Sequence, residues 1–425
     1  MNFSNFVLLY GFVGNCNSSF RIINRCSNII FNKDRISYPF FKIFHSRIII
    51  DFHFFTYENI YYICRQIEIN QKNIDMSKII TIIGSGMMGS ALAYPAFENG
   101  NEVRLVGTPL DRDIIDECRK SNKHLKFDIP FPEGIKYYQF EEWKEAVAGA
   151  DFVIGGVSSF GVDWFLDEVL TYLDPAIPVL SVTKGLINLE DGTLISYPDY
   201  WERELAKKGI VREVCAIGGP CTSYELVFHD QTEVAFCGKN TAHLKMMKEA
   251  MATDYYHISL TNDVIGLESA VALKNGYALA IAMTIGLVNR NLGTEAGLHY
   301  NSQAGAFYQA VKEMRYLLEM QGASRDCENI GIGDLYVTVY GGRTRKIGIL
   351  LGEGKTYQEA LEILAGVTLE SLVVARRVYA AMARKAELGQ ADLSMFPMLC
   401  HASAVLDEGK DAELPWEAFT FDQTK

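Results

Sequence analysis

The rhythm of apolar positions changes once along the readable part of the chain. Ile79, Ile80, Ile82 and Ile83 form a β-branched run broken only by Thr81, the pattern of a strand buried on both faces. Ser90 to Glu98 is rich in helix formers and stops at Asn99-Gly100, a helix C-cap signal. A second apolar run, Val103 to Val106, follows directly. Asp151 to Val157, Ile177 to Val182, Val214 to Ile217 and Glu233 to Cys237 repeat the strand pattern, with helical stretches between most of them. Such alternation predicts an α/β unit with a doubly wound parallel sheet, helices on both faces, and ligand-contacting residues at the strands' carboxyl ends. From about Asn262 the strand rhythm fades. Helical patterns take over at Val264 to Leu287, Gly305 to Met320, Tyr357 to Leu364 and Ser371 to Leu388, predicting an all-helical C-terminal domain over 262–425. Neither a low-complexity linker nor an internal repeat separates the parts, so a site at their interface is expected.

The first strand–helix junction narrows the N-terminal unit further. Gly84, Gly86 and Gly89 stand at G-x-G-x-x-G spacing between the run ending at Ile83 and the helix that follows. In that context Gly84 suits a tight turn, Gly86 lets backbone N–H groups approach a pyrophosphate, and Gly89 lets helix pack on strand. The helix N-terminus faces the phosphate charge. A glycine-rich turn of an ordinary α/β domain is the plainer alternative. The reading is a Rossmann-type dinucleotide-binding domain over 76–261.

Residues 1–75 break the pattern. They are crowded with Phe, Ile, Asn, Tyr and Ser, contain no alanine and only two glycines, and sustain neither helical nor strand periodicity. Because those residue types share A/T-rich codons and Met76 stands just before the first strand, Met76 is expected to be the start of the native protein. The stretch before it would then be untranslated or unfolded; a genuine extra module is the alternative, and the intact mass of the native protein decides.

Composition removes several function classes. Over 425 residues the net charge is −12, which argues against general nucleic-acid binding and says nothing against a local basic pocket. Nine cysteines form no C-x-x-C pair and the eight histidines no H-x-x-H cluster, so neither a disulfide framework nor a metal site is expected. No run of about 18 uninterrupted apolar residues exists, so no stable membrane insertion is expected. Phe6 to Val13 lacks the flanks of a secretory signal.

Three stretches carry candidate chemistry. Lys274 shares its helix face with Leu267, Ala270, Val271, Tyr277, Ala278 and Ile281, where a lysine needs a reason to be, and Asn275 beside it adds a hydrogen-bonding group. A stem laid on apolar surface with its head in water is the bland alternative. Lys184 follows the run ending at Val182, which puts it at a strand's carboxyl end or in an ordinary loop. Gly331 to Lys346 contains Asp334 and ends in Gly341-Gly342-Arg343-Thr344-Arg345-Lys346, glycines beside cations that suit close approach to an oxyanion, or a solvated helix start. Gly352-Glu-Gly-Lys-Thr looks like the end of a P-loop, but the spacing fails and a turn between helices is the better reading.

In order along the chain, Gly84-Ser-Gly-Met-Met-Gly, Thr183-Lys-Gly, Gly219-Pro-Cys-Thr-Ser-Tyr-Glu, Ala272-Leu-Lys-Asn, Gly333-Asp-Leu with Gly342-Arg-Thr, and Gly366-Val-Thr-Leu-Glu resemble the NAD(P)-dependent glycerol-3-phosphate dehydrogenase family. The resemblance covers about residues 76–425 and leaves 1–75 unmatched. Val106-Gly-Thr-Pro-Leu-Asp resembles the archaeal-type branch more than the animal one.

The resemblance implies that dihydroxyacetone phosphate and glycerol 3-phosphate are interconverted with NAD or NADP, supplying glycerophospholipid synthesis. Lys274 is implied as proton donor and acceptor, and Lys184 as a contact to substrate and cofactor. Asn275, Asp334 and Thr338 would surround the substrate oxygens, with Gly342, Arg343 and Thr344 at its phosphate. Cofactor contacts are implied for Gly84, Ser85, Gly86, Met87, Met88, Gly89, Thr108, Lys184, Gly219, Cys221, Ser223, Arg343, Thr368 and Glu370. No metal is implied. The family further implies a homodimer and a cytoplasmic protein. Cys221, Ser223, Gly276, Thr344 and Ser371 depart from the usual residues; Thr344 offers one hydroxyl where asparagine offers an amide. A related β-hydroxyacid or ketopantoate-type dehydrogenase and a non-catalytic dinucleotide sensor are the rival readings. Gly107-Thr108, followed by Asp111 and Arg112, leaves the choice between NAD and NADP open.

Overall fold

The computed structural model describes residues 77–367, 369–421 and 424. The expectation for residues 1–75 and the cofactor role implied for Thr368 lie outside the described residues.

Two strand–helix repeats open the fold: β1 (Ile79–Ile83), α1 (Met87–Glu98), β2 (Glu102–Val106) and α2 (Arg112–Ser121). The chain continues through β3 (Lys136–Tyr138), β4 (Phe152–Gly155), β5 (Val179–Ser181), the strands β6 (Leu186–Asn188) and β7 (Leu194–Ser196), and α3 (Tyr197–Lys207). It then forms β8 (Val214–Gly218), α4 (Ser223–Val227), β9 (Thr232–Cys237), α5 (Thr241–Met251) and β10 (Tyr256–Thr261). Eight strands make one sheet in the order β10-β9-β8-β5-β4-β1-β2-β3, while β6 and β7 pair as a separate hairpin. β1 lies parallel between β2 and β4, Ile83 matching Val106 on one side and Gly155 on the other. Connections therefore leave β1 and β4 in opposite directions, opening a crevice at their carboxyl ends. Ile80, Ile82, Val103, Leu105 and Ile154 are fully buried, as the apolar runs require.

One feature corrects the all-parallel expectation. β9 runs antiparallel to β8, and β10 follows β9 in parallel, so the sheet is mixed at that edge. β10 alternates buried and exposed positions at its start, as a one-sided edge strand does, so Tyr256 to Thr261 shows no continuous apolar run.

The helical part is built around α6 (Val264–Leu292), buried on nearly all sides. Asp263 caps it, its carboxylate accepting from the Gly266 N–H at 2.9 Å and, from the neighbouring helix start, the Ser324 N–H at 2.7 Å. By length and composition this helix suits a membrane span, but 89% of its most apolar stretch is buried inside the protein, so it is a core helix. Around it stand α7 (Tyr300–Met320), α8 (Arg325–Tyr340), α9 (Gly342–Gly352), α10 (Tyr357–Ile363), α11 (Glu370–Glu387) and α12 (Pro397–Asp407). α8 and α12 are absent from the sequence reading, and α9 enters it only as the alternative of a solvated helix start and as the element before the Gly352 turn; glycines dilute the apolar rhythm of α8 and α9. Those glycines have a packing reason. A Cβ at Gly331 would stand 2.7 Å from the Ala270 Cβ, and one at Gly352 2.2 Å from the Met283 carbonyl. α8 and α9 thus approach α6 backbone to backbone. Gly352 ends α9 and Thr356 caps α10, with Glu359 completing a capping box, so the P-loop lookalike is indeed a turn between helices.

Candidate active site

The glycine turn divides its labour. Gly84 has φ +112°, and a Cβ there would stand 2.6 Å from the Gly156 carbonyl; a Cβ at Gly89 would stand 2.1 Å from the Gly84 carbonyl. Both glycines, with Gly156 at the end of β4, serve close packing of strand, turn and helix. Gly86 is different: nothing lies within 4 Å of its would-be Cβ, so it faces open space. It is the N-cap of α1 and offers no side-chain cap, which leaves the first N–H groups of the helix for a ligand. Ser85 is fully buried and its hydroxyl has no partner among the described residues. An open cradle, free N–H groups and an orphaned hydroxyl fit a dinucleotide pyrophosphate. Met87 and Met88 are half-buried and pack against the core of the sheet. At the end of β2 the Asp111 carboxylate gathers the Thr108 N–H at 2.9 Å, the Thr108 hydroxyl at 2.8 Å and the Ser85 N–H at 3.3 Å.

Across the crevice two lysines meet one carboxylate. Lys184 follows β5, where Thr183 anchors the backbone by donating its hydroxyl to the Val157 carbonyl at 2.7 Å. The next position must be glycine, because a Cβ at Gly185 would stand 2.4 Å from the Tyr197 ring. Lys184 Nζ reaches Asp334 Oδ2 at 2.7 Å and the Gly219 carbonyl at 3.1 Å. Lys274 Nζ donates to Asp334 Oδ1. The close approach at Gly331 and Ala270 makes this contact: Asp334 and Lys274 lie one turn further along α8 and α6 respectively. Asp334 is fully buried and Lys274 only 8% exposed, so the snorkelling alternative is removed.

The electrostatics follow from burial. Burial pulls the Lys274 ammonium down to about 8; Asp334 opposes that and the Lys184 charge reinforces it. Lys184 is also pulled down by burial, but Asp334 more than offsets the loss and leaves its ammonium raised. Lys184 thus stays charged at neutral pH, while Lys274 is poised to exchange a proton. The Cys221 thiol lies in the field of both lysines; burial pushes it up to about 12, so it is a neutral group. Ser223 begins α4 under the Thr222 cap.

Other expected residues border this cluster. Asn275 is buried next to Lys274. Thr338 donates its hydroxyl to the Asp334 carbonyl at 2.7 Å, one turn below. Gly342, Arg343 and Thr344 form the first turn of α9, whose N-cap Gly341 supplies no side-chain cap. Arg343 is exposed and makes no ion pair among the described residues, and Thr344 is buried. Glu370 opens α11 and reaches back to the loop after β4, accepting from the Ser159 N–H and hydroxyl, each at 3.1 Å.

Two family models match this chain, the N-terminus of NAD-dependent glycerol-3-phosphate dehydrogenase over residues 79–244 and its C-terminus over residues 263–416. The NADP(+)-dependent glycerol-3-phosphate dehydrogenase of Archaeoglobus fulgidus is 33% identical over 288 residues, covering 67% of this chain and 83% of that protein. The chain belongs to the NAD-dependent glycerol-3-phosphate dehydrogenase family. It is accordingly an oxidoreductase with NAD or NADP as its cofactor, and the rival dehydrogenase and sensor readings are not favoured. A glycerol-3-phosphate dehydrogenase [NAD(P)+] of Shouchella clausii is 28% identical over 305 residues, covering 71% of this chain and 85% of its own. Solved glycerol-3-phosphate dehydrogenases share the fold: that of Plasmodium falciparum has TM-score 0.69 at 20% identity, covering 84% of this chain and 99% of its own. That of Coxiella burnetii has TM-score 0.66 at 23% identity, covering 81% and 98%.

Sequence reasoning missed three groups here. Gly156 completes the close packing of the turn, and the Gly155-Gly156 pair after a predicted strand was its signal. Ser159, the partner of Glu370, carried none. Glu268, in α6, is fully buried with neither carboxyl oxygen partnered among the described residues, and burial raises it to about 8. It is therefore largely neutral at pH 7, and its place in an apolar helix face was its only signal.

Proposed function

We propose that this enzyme reduces dihydroxyacetone phosphate to glycerol 3-phosphate, with Lys274 as the general acid and, in the reverse direction, the general base. When bound, the nicotinamide cofactor supplies the hydride. Negative charge then develops on the carbonyl oxygen, where the Lys274 ammonium donates a proton and Lys184 stabilises the charge without giving up its own. Asp334 holds both ammonium groups, and Asn275 orients the same oxygen or its neighbouring hydroxyl. Arg343 with the free N–H groups at the start of α9 binds the dianionic phosphate, using remote charge to position the ketone. Gly342 allows the approach, and Thr338 and Thr344 line it. Gly84 to Gly89, Thr108, Gly219, Cys221, Ser223 and Glu370 surround the cofactor.

One observation carries this reading: a lysine buried on the central core helix, sharing one buried carboxylate with a second lysine at the carboxyl end of a sheet strand. Supply of glycerol phosphate to phospholipid synthesis, a homodimeric assembly and a cytoplasmic location complete the proposal. The test is a steady-state assay with dihydroxyacetone phosphate and each reduced cofactor, on wild type and Lys274→Ala. Loss of turnover with cofactor still bound is expected; rates near wild type in the variant sink the assignment.

A further inference from the structure

The dinucleotide turn is held from outside its own strand and helix. Ser85, between Gly84 and Gly86, has its N–H tied to Asp111, while its carbonyl accepts two donors. One is the Ser90 hydroxyl at 3.0 Å, from α1 itself. The other is His124 Nε2 at 3.2 Å, from the loop that joins α2 to β3. That histidine is 1% exposed, and the Lys126 N–H donates to its Nδ1 at 3.0 Å. An Nδ1 that accepts leaves the ring's proton on Nε2, so the Nε2–H donates to the Ser85 carbonyl. The tautomer is set by the loop's own backbone.

The loop is built to hold that ring in place. Asn122, in the left-handed region at φ 55°, donates its side-chain amide to the Phe131 carbonyl at 2.7 Å, and the Phe131 N–H donates back to the Asn122 carbonyl at 2.8 Å. The His124 ring lies against Phe127 with centroids 4.6 Å apart, and Phe127 meets Tyr224 of α4 edge-on at 5.9 Å. The imidazole is thus fixed by the tilted Phe127 ring on one side and hydrogen bonds at both nitrogens.

We propose that His124 is a positioning residue for the cofactor: by holding the Ser85 carbonyl back into the protein, it orients the next peptides so that the N–H groups at Gly86 and Met87 face the pyrophosphate. The inference rests on the dinucleotide reading of the turn and adds to it a residue outside the glycine motif. His124 touches neither cofactor nor substrate; it acts through Ser85. Asp111 holds the N–H of the peptide before Ser85 and His124 the carbonyl of the peptide after it, so the two residues fix the consecutive peptides on either side of the Ser85 Cα.

The experiment compares His124→Phe, which keeps an aromatic ring against Phe127 but removes both hydrogen bonds, with His124→Gln, which offers a donor and an acceptor. His124→Ala is measured in parallel in case the phenylalanine variant fails to fold. Dissociation constants for NADH and NADPH are read by fluorescence titration, alongside melting temperature, KM for each substrate and kcat. Loss of one buried hydrogen bond that aligns the turn is expected to weaken cofactor binding about tenfold. KM for cofactor should rise with it, while kcat and KM for dihydroxyacetone phosphate stay within about twofold of wild type. The glutamine variant should recover most of the affinity. Folded phenylalanine or alanine variants that bind cofactor as tightly as wild type overturn the proposal, as does a glutamine variant as weak as phenylalanine. Wild type that binds neither cofactor would overturn the dinucleotide reading with it.

Discussion

Replacing Asp334 with asparagine removes the one carboxylate that both lysines share while keeping nearly the same shape. Both carboxylate oxygens are engaged, Oδ2 by Lys184 at 2.7 Å and Oδ1 by Lys274, and the group is fully buried. Lys274 already sits near 8 because burial outweighs Asp334's support. Without that support, and with the Lys184 charge unopposed, its pKa falls further; an opposite charge at contact distance is worth about 1–3 pH units. A fall of about 2 units lowers the protonated fraction at pH 7.5 from about three-quarters to about 3%, so ketone reduction slows about 25-fold. The alkaline limb of the rate profile should move from near 8 in wild type to near 6 in Asp334→Asn. Activity should recover as the pH is lowered, which structural damage alone does not produce. The assay follows oxidation of NADH or NADPH by dihydroxyacetone phosphate across the pH range. An unmoved limb, or a rate at pH 7.5 within about twofold of wild type, refutes the idea that Asp334 keeps Lys274 charged.

The glycines of the turn should fail in different ways. Gly86→Val, placed in open space, is expected to fold with wild-type melting temperature and to lose cofactor binding, whereas Gly89→Ala, whose Cβ meets the Gly84 carbonyl at 2.1 Å, should lower the melting temperature as well. Equal melting behaviour in the two variants would contradict the division. Glu268 makes a prediction about pH. Its folded pKa is raised from 4.5 to about 8, so between those values the folded state holds a proton that the unfolded state has released. Stability is therefore fully present below 4.5 and is lost as pH rises through about 8, with a slope of up to about 1.4 kcal/mol per pH unit from this group. Glu268→Gln should remove that decline in denaturant titrations; an unchanged pH dependence argues against a neutral buried carboxyl.

Much of the fold was legible because its signals are local. A β-branched run, three glycines at fixed spacing and an Asn-Gly stop define β1, the turn and α1, and each depends only on neighbours in the chain. The same holds for Lys274, whose oddness on an apolar face is visible in one helix period. Less was visible where tertiary contact overrides local pattern. α8 and α9 carry glycines that a sequence reading takes as breakers, yet those glycines let the helices press against α6.

What the chain alone determined, then, was the order of elements, the dinucleotide turn and a lysine in need of a partner. Only the tertiary structure decided which carboxylate that partner is, since Asp334 lies 60 residues from Lys274 and 150 from Lys184. It likewise decided that β9 turns antiparallel and that His124 reaches back to Ser85. The reason is the range of the forces involved: backbone preference and apolar periodicity act within a few residues, whereas a buried charge is stabilised by whatever the fold brings within a few ångströms of it.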